Sequence, residues 1–190
     1  MVTLVTGANR FVGSALCARL RKEGSSFRGA VRSLSLCPGE VQAISIGSLS
    51  PKTNWTLVRW LARGVPVPLA EVTDNRRSLA ALDNLVDLIV TCLNHPAAAN
   101  QTFLVSDGED LSTAQLLKRM GTAMGQPARL FYLPPSLLKL GATVLNKPGM
   151  YQRLCGSLQV DITKTIRLLG WTPLVSVDEG LRRAAESFRP

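Results

Sequence analysis

Residues Val2-Thr3-Leu4-Val5-Thr6 form a short apolar, β-branched run, and Gly7-Ala8-Asn9-Arg10-Phe11-Val12-Gly13 follows at once. From Phe11 the apolar spacing changes to a helical one. Val12, Ala15, Leu16 and Leu20 share one face, Arg19, Arg21 and Lys22 fill the last turn, and Gly24 stands at the C-terminal cap. A buried strand that ends at a glycine-bearing turn and runs into a helix opens a dinucleotide-binding βαβ unit. Gly7 and Gly13 permit the tight turn and the close approach of helix to strand, and a pyrophosphate would sit on the helix N-terminus, among Gly7, Asn9, Arg10, Phe11, Val12 and Gly13. The middle glycine of such a turn lets the backbone approach the phosphates. Here that position is Arg10, whose Cβ and long side chain weaken binding unless the guanidinium swings outward to pair with phosphate.

The pattern continues with a second strand at Phe27–Val31 and a third at Val41–Ile46, an alternation that predicts a parallel sheet. It then changes. A short amphipathic helix is expected over Thr56–Arg63, followed by a proline-stiffened extended piece at 65–69 and a loop carrying Asp74, Asn75, Arg76 and Arg77. A long helix is expected from Leu79 to Leu93, stopped at Asn94-His95-Pro96, with a strand at Thr102–Ser106. Ser112-Thr113-Ala114-Gln115 is a capping box for a helix through Met124 closed by Gly125. Arg129–Leu133 is expected as a short strand and Pro135–Leu145 as a helix. Thr163–Leu169 reads as a helix ended by Gly170, and Ser176-Val177-Asp178-Glu179 as a second capping box opening a helix through Phe188. The fold class expected is α/β: an incomplete Rossmann-type parallel sheet with flanking helices and a small, mostly helical C-terminal lobe.

Three blocks carry a resemblance. Thr6-Gly7-Ala8-Asn9-Arg10-Phe11-Val12-Gly13 is similar to a TGxxGxxG turn. Arg77-Ser78-Leu79-Ala80-Ala81-Leu82-Asp83-Asn84-Leu85-Val86-Asp87 is the second. Asp161-Ile162-Thr163-Lys164, Leu169-Gly170-Trp171-Thr172-Pro173 and Val177-Asp178-Glu179-Gly180-Leu181 form the third. In this order they resemble the NAD-dependent epimerase/dehydratase family of extended short-chain dehydrogenase/reductases, the nucleotide-sugar 4-epimerases in particular. The resemblance implies an NAD or NADP cofactor, a UDP-sugar partner, and hydride-transfer isomerisation or reduction of that sugar. It divides the chain into residues 1–55, the N-terminal part of the Rossmann domain, and 56–190, a remnant of its second half with a nucleotide-sugar-binding lobe. It gives Arg32 and Ser33 the place that selects the cofactor, where Arg32 would suit a 2′-phosphate. Arg77 matches an arginine that grips the sugar diphosphate, and Asp161 lies in a region near the nucleotide. Ser48 stands where relatives carry an adenine-contacting aspartate.

The same resemblance shows a gap near Trp55–Leu57, where the family carries further strands and its catalytic Ser/Thr and Tyr-x-x-x-Lys. Tyr132 is followed by Leu-Pro-Pro-Ser and Tyr151 by Gln-Arg-Leu-Cys, so neither has a lysine four residues on. No catalytic residue is assigned, and impaired or absent turnover is expected. A non-catalytic dinucleotide or nucleotide-sugar binding module is the alternative.

Charge bears on a further class. The net charge is +9, and residues 1–64 hold nine basic against two acidic side chains. A basic nucleic-acid binder would have this balance, but no aromatic-rich basic motif or helix-turn-helix spacing accompanies it. The four cysteines are dispersed and there is one histidine, which argues against a zinc site and for reduced thiols. Asp83 and Asp87, four apart, read as a solvated helix face, and His95 as a helix-end residue. No segment reads as a leader or membrane span, so a cytoplasmic protein is expected. A sheet lacking its central partners would expose an edge, which invites homodimerisation and leaves a marginal monomer.

Overall fold

The computed structural model describes residues 2–6, 8, 11–30, 58–134, 136–138, 140 and 148–186. The expected strand Val41–Ile46 lies outside them. Strand β1 (Thr3–Thr6) and strand β2 (Phe27–Ala30) pair in parallel, Thr3 opposite Phe27 and Thr6 opposite Ala30. Helix α1 (Phe11–Lys22) is the crossover between them. Its C-terminus turns through Gly24 at φ 69°, a conformation that only glycine adopts without strain. Alternation along β1 decides what α1 packs on: Val5 is buried, while Val2 and Leu4 point to the other face and are exposed.

Residues 58–62 are helical, as far as they are described. Val67 then bridges Leu130 in parallel, and Ala70 N–H donates to Phe131 O at 3.3 Å, so the expected extended piece at 65–69 lies beside the expected strand Arg129–Leu133 through a single bridge instead of a ladder. Strand β3 (Arg77–Ser78) pairs antiparallel with β4 (Asp110–Leu111). Two expectations shift here. Arg77 lies on a strand instead of in a loop, because Ser78 N–H donates to Leu158 O at 2.9 Å and Leu158 N–H to Arg76 O at 2.8 Å. Thr102–Ser106 forms no ladder strand among the described residues. The Thr165 hydroxyl takes Leu104 O at 2.8 Å and Lys164 Nζ takes Thr102 O at 3.1 Å, so side chains occupy carbonyls that a neighbouring strand would otherwise use.

Helix α2 (Leu82–Asn94) begins three residues later than its apolar spacing suggests and ends as expected at His95. The His95 N–H donates to Thr91 O, and its Nδ1 accepts the Ala97 N–H opening a 3₁₀ turn at Pro96–Ala98. Helix α3 (Thr113–Ala123) carries the full capping box between Ser112 and Gln115. Helix α4 (Pro148–Cys155) has no counterpart in the sequence reading above. Helix α5 (Thr163–Leu169) stops at Gly170 in the left-handed region, φ 61°. Helix α6 (Val177–Glu186) has half of its expected capping box: Glu179 N–H donates to Ser176 Oγ, but the Glu179 carboxylate is drawn to Arg182 and Arg183 instead.

Three apolar clusters hold this together. The largest joins Leu61, Val67, Leu69 and Val72 with Leu111, Leu116, Leu117 and Met120 and with Val177, Leu181, Ala184 and Ala185. A smaller one places Leu88 of α2 against Leu169 and Trp171. The third joins Val5, Leu16, Cys17 and Leu20 to Val86 and Val90 on the opposite side of α2. Among the described residues no helix is long and apolar enough to cross a membrane.

Candidate functional site

Among the described residues, Arg77 is the charged residue with the least exposure, 4%. Burial moves its guanidinium below its ordinary value, and the neighbouring Cys155 acts the other way. A guanidinium is not enclosed at this depth without a scaffold to set its place, and three elements supply one. β4 brings Leu111 opposite Arg77, the chain at Leu158 bridges it in parallel on the other side, and the C-terminal turn of α4 brings Cys155 beside it. The Cys155 thiol is pushed up by burial, against the opposing pull of Arg77 and a hydrogen bond with Tyr151.

A buried asparagine sets the end of α4. Asn75 Nδ2 donates to Thr113 Oγ1 at 2.8 Å, and its amide also reaches Leu154 O and Gly156 O. Asn75 Oδ1 accepts the Thr113 N–H at 3.0 Å, and the Thr113 hydroxyl donates to Leu154 O at 2.6 Å. The residue two before Arg77, the N-terminus of α3 and the last turn of α4 are thus one unit. On the other side, Ser78 Oγ donates to Asp110 Oδ1 at 2.5 Å and accepts the Val160 N–H at 2.8 Å. Gln159 Nε2 donates to the second Asp110 oxygen at 2.7 Å. This pins segment 158–160 along β3.

Asp161 follows on that segment. It is exposed, and its Oδ1 accepts the Thr163 N–H at 2.8 Å at the start of α5. The Thr163 bonds hold its carboxyl below the usual carboxylate range. The structure therefore brings Arg77 and the 158–161 segment together and gives the Asp161 carboxylate a helix-end role.

Near the start of the chain, Phe11, Val12 and Gly13 form the first turn of α1, which carries no acidic side chain. The Ser14 hydroxyl donates to Phe11 O at 3.0 Å. Gly7, Asn9, Arg10, Arg32 and Ser48 lie outside the described residues. What is described there, a parallel β1–β2 pair crossed by α1, is the frame on which a phosphate-binding helix N-terminus is built.

Cys155, Tyr151 and Asn75 escape a reading by motif. The signal for α4 was present: Pro148 is suited to a first helical position, and Tyr151, Leu154 and Cys155 follow at helical spacing. Asp87 also needs a correction. Instead of a solvated face, its Oδ1 accepts from Arg19 of α1 at 3.2 Å and its Oδ2 accepts the Trp171 indole N–H at 2.9 Å.

No family model matches the chain. It is 44% identical over 138 residues to a UDP-glucose 4-epimerase of Vibrio cholerae, covering 72% of this chain and 42% of that protein. It is 29% identical over 113 residues to a UDP-glucose 4-epimerase of Mycolicibacterium smegmatis, covering 60% and 31%. The chain thus spans less than half the length of these curated relatives. Among solved structures, UDP-glucose 4-epimerase of Thermotoga maritima, crystallised with UDP-glucose, superposes with a TM-score of 0.63 at 13% identity. That alignment covers 100% of this chain and 99% of that one. A short-chain dehydrogenase/reductase superfamily protein of Agrobacterium tumefaciens with bound NAD superposes at 0.59 with 14% identity, covering 98% and 97%. At these identities the superpositions speak for the fold, and the fold is the Rossmann-type α/β one expected. In its three sequence blocks, its strand–helix–strand opening and its 44% identity over 138 residues to a curated 4-epimerase, the chain is similar to the NAD-dependent epimerase/dehydratase family of extended short-chain dehydrogenase/reductases.

Proposed function

We propose that this protein binds a nucleotide sugar through Arg77 and a nicotinamide dinucleotide at the N-terminus of α1, as a nucleotide-sugar epimerase/dehydratase-like protein whose chemistry is lost or severely reduced. The observation that carries the reading is the buried Arg77 guanidinium, held between β4, the 158–160 segment and the end of α4. A planar fork of donors in such a setting suits a diphosphate, which it grips bidentately with little water to compete. In this reading Asp161, Cys155 and Tyr151 border the nucleotide end of the site.

The cofactor is NAD or NADP. Gly7, Asn9, Arg10, Phe11, Val12 and Gly13 would hold its pyrophosphate, and Arg32 a 2′-phosphate if NADP is used; Arg10 weakens this hold. When bound, the nicotinamide supplies hydride transfer. The chain's own contribution to that chemistry is what is missing. No tyrosine in the sequence has a lysine four residues on, so no side chain of that pair is available to exchange a proton with a sugar hydroxyl. The reading includes an internal deletion near Trp55–Leu57 and a division into residues 1–55 and 56–190.

Titration calorimetry of the purified chain with UDP, UDP-glucose, NAD and NADP tests it. UDP binding that Arg77→Gln weakens at least about tenfold supports the diphosphate role. No heat at millimolar UDP overturns it. Turnover of UDP-glucose above background with NAD present overturns the loss of chemistry.

A further inference from the structure

Among the described residues, the apolar clusters divide unevenly. Every member of the largest lies between residues 61 and 185, and every member of the cluster around Trp171 between 88 and 171. Residues 2–30 contribute to neither. Their contact with the rest is the cluster in which Leu16, Cys17 and Leu20 of α1 meet Val86 and Val90 of α2. One ion pair crosses that contact among the described residues, from Arg19 NH2 to Asp87 Oδ1. The Asp87 carboxylate is fixed from the other side, where Trp171, itself buried, donates its indole N–H to Oδ2. Among the described residues, 2–30 meet the rest through this dock, whereas the two other clusters close without them, so 2–30 can open while the body stays folded.

We infer that residues 2–30 are a separately opening unit, latched onto α2 by Asp87, and that the latch decides whether the α1 N-terminus is presented in register with the Arg77 site. The unit opens and recloses while the body stays folded. Its functional consequence rests on the reading above: the cofactor turn lies on the moving unit and the sugar-nucleotide site on the body. A dinucleotide bound at α1 would favour the latched state.

Hydrogen exchange of the full chain, followed by mass spectrometry, tests this. Amides of α1 and β1 should exchange well before those of α3 and α6. Asp87→Asn keeps an acceptor for Trp171 and removes the charge that holds Arg19. It should speed α1 exchange about three- to tenfold, with α3 and α6 unchanged within about twofold. Leu16→Ala should speed α1 exchange about thirtyfold or more, again leaving α3 and α6 alone. Equal protection of α1, α3 and α6 in the parent chain, or parallel loss in both variants, means one cooperative unit and overturns the latch. A last arm adds millimolar NAD. Slowed exchange confined to α1 and β1 supports the link to the cofactor. Unchanged exchange there refutes cofactor binding at this turn, while the ligand-free arms still decide the latch.

Discussion

Asn84, fully buried, accepts the backbone N–H groups of Leu174 and Val175 with its Oδ1, at 2.9 Å each. Its Nδ2 donates to Val175 O at 2.8 Å and to Asp107 Oδ1 at 2.7 Å. Asp107 in turn accepts the Ala81 N–H, at 2.7 and 3.0 Å to its two oxygens, and so caps α2 from 26 residues away. One amide therefore joins the start of α2, the 102–107 segment and the turn before α6. Replacing Asn84 with Leu leaves these partners buried and unpaired. A loss of about 3 kcal/mol or more is expected, read as a lowered denaturation midpoint in urea. A shift below about 0.5 kcal/mol would show that water replaces the amide.

Trp171→Phe separates packing from hydrogen bonding at Asp87. The ring still fills the space beside Leu88 and Leu169, but the carboxylate loses its indole donor. About 1–2 kcal/mol is expected from a bond to a charged acceptor. The urea midpoint measures it, and an unchanged midpoint would mean that the indole N–H contributes nothing to the latch.

Acid should weaken the fold partly through Glu179. Hydrogen bonds from Arg182 and Arg183 hold its carboxyl at about 2, against 4.5 for the unpaired group. A depressed folded value means that the unfolded chain binds the proton first. The stabilisation is complete above about 4.5 and fades as the pH falls toward 2. Glu179→Gln should flatten that part of the stability profile. Asp107 has the opposite sign: burial raises its carboxyl above 3.8, so its contribution declines as the pH rises from 3.8 through the folded value. Thermal melts between pH 2 and 7 on the parent, Glu179→Gln and Asp107→Asn check both directions.

Gly121 sits where α3 meets the chain that leaves it. A Cβ there would lie 2.6 Å from Ala128 N and 2.8 Å from Gln126 O, both backbone atoms that cannot swing aside. Gly121→Ala should cost about 1–3 kcal/mol despite the better helix propensity of alanine. A stabilised variant in the same urea assay would contradict the close approach.

Local rules carried most of the secondary structure. The strand period of β1, the caps at Ser112 and Gly170, and the stop at His95-Pro96 each depend on residues within one turn of each other, so they are visible in one dimension. Arg77 could be picked out by its matching block, but its burial could not. That burial is made by Leu111 and Leu158, 34 and 81 residues further on, and neither position carries a local signal of pairing. The same holds for Asp87. Its spacing from Asp83 suggests an open polar face, whereas its partners Arg19 and Trp171 are 68 and 84 residues distant. Thr102–Ser106 has strand composition, yet its carbonyls are taken by Thr165 and Lys164 of a helix that local propensity does not connect to it.

The joint of Asn75, Thr113 and Leu154 has a bearing on how the chain emerges during synthesis. Asn75 meets its first partner 38 residues later and its next ones 79 and 81 residues later. Until residue 158 has left the ribosome, β3 lacks its parallel neighbour and Arg77 lacks one of its walls. From the emergence of β4 at residue 111 until residue 158 follows, the nascent protein therefore carries β3 paired along one edge only and Arg77 with one wall missing. Long-range closure of this kind slows folding and lengthens the interval in which a chaperone, or another nascent chain, can take hold of the exposed strand.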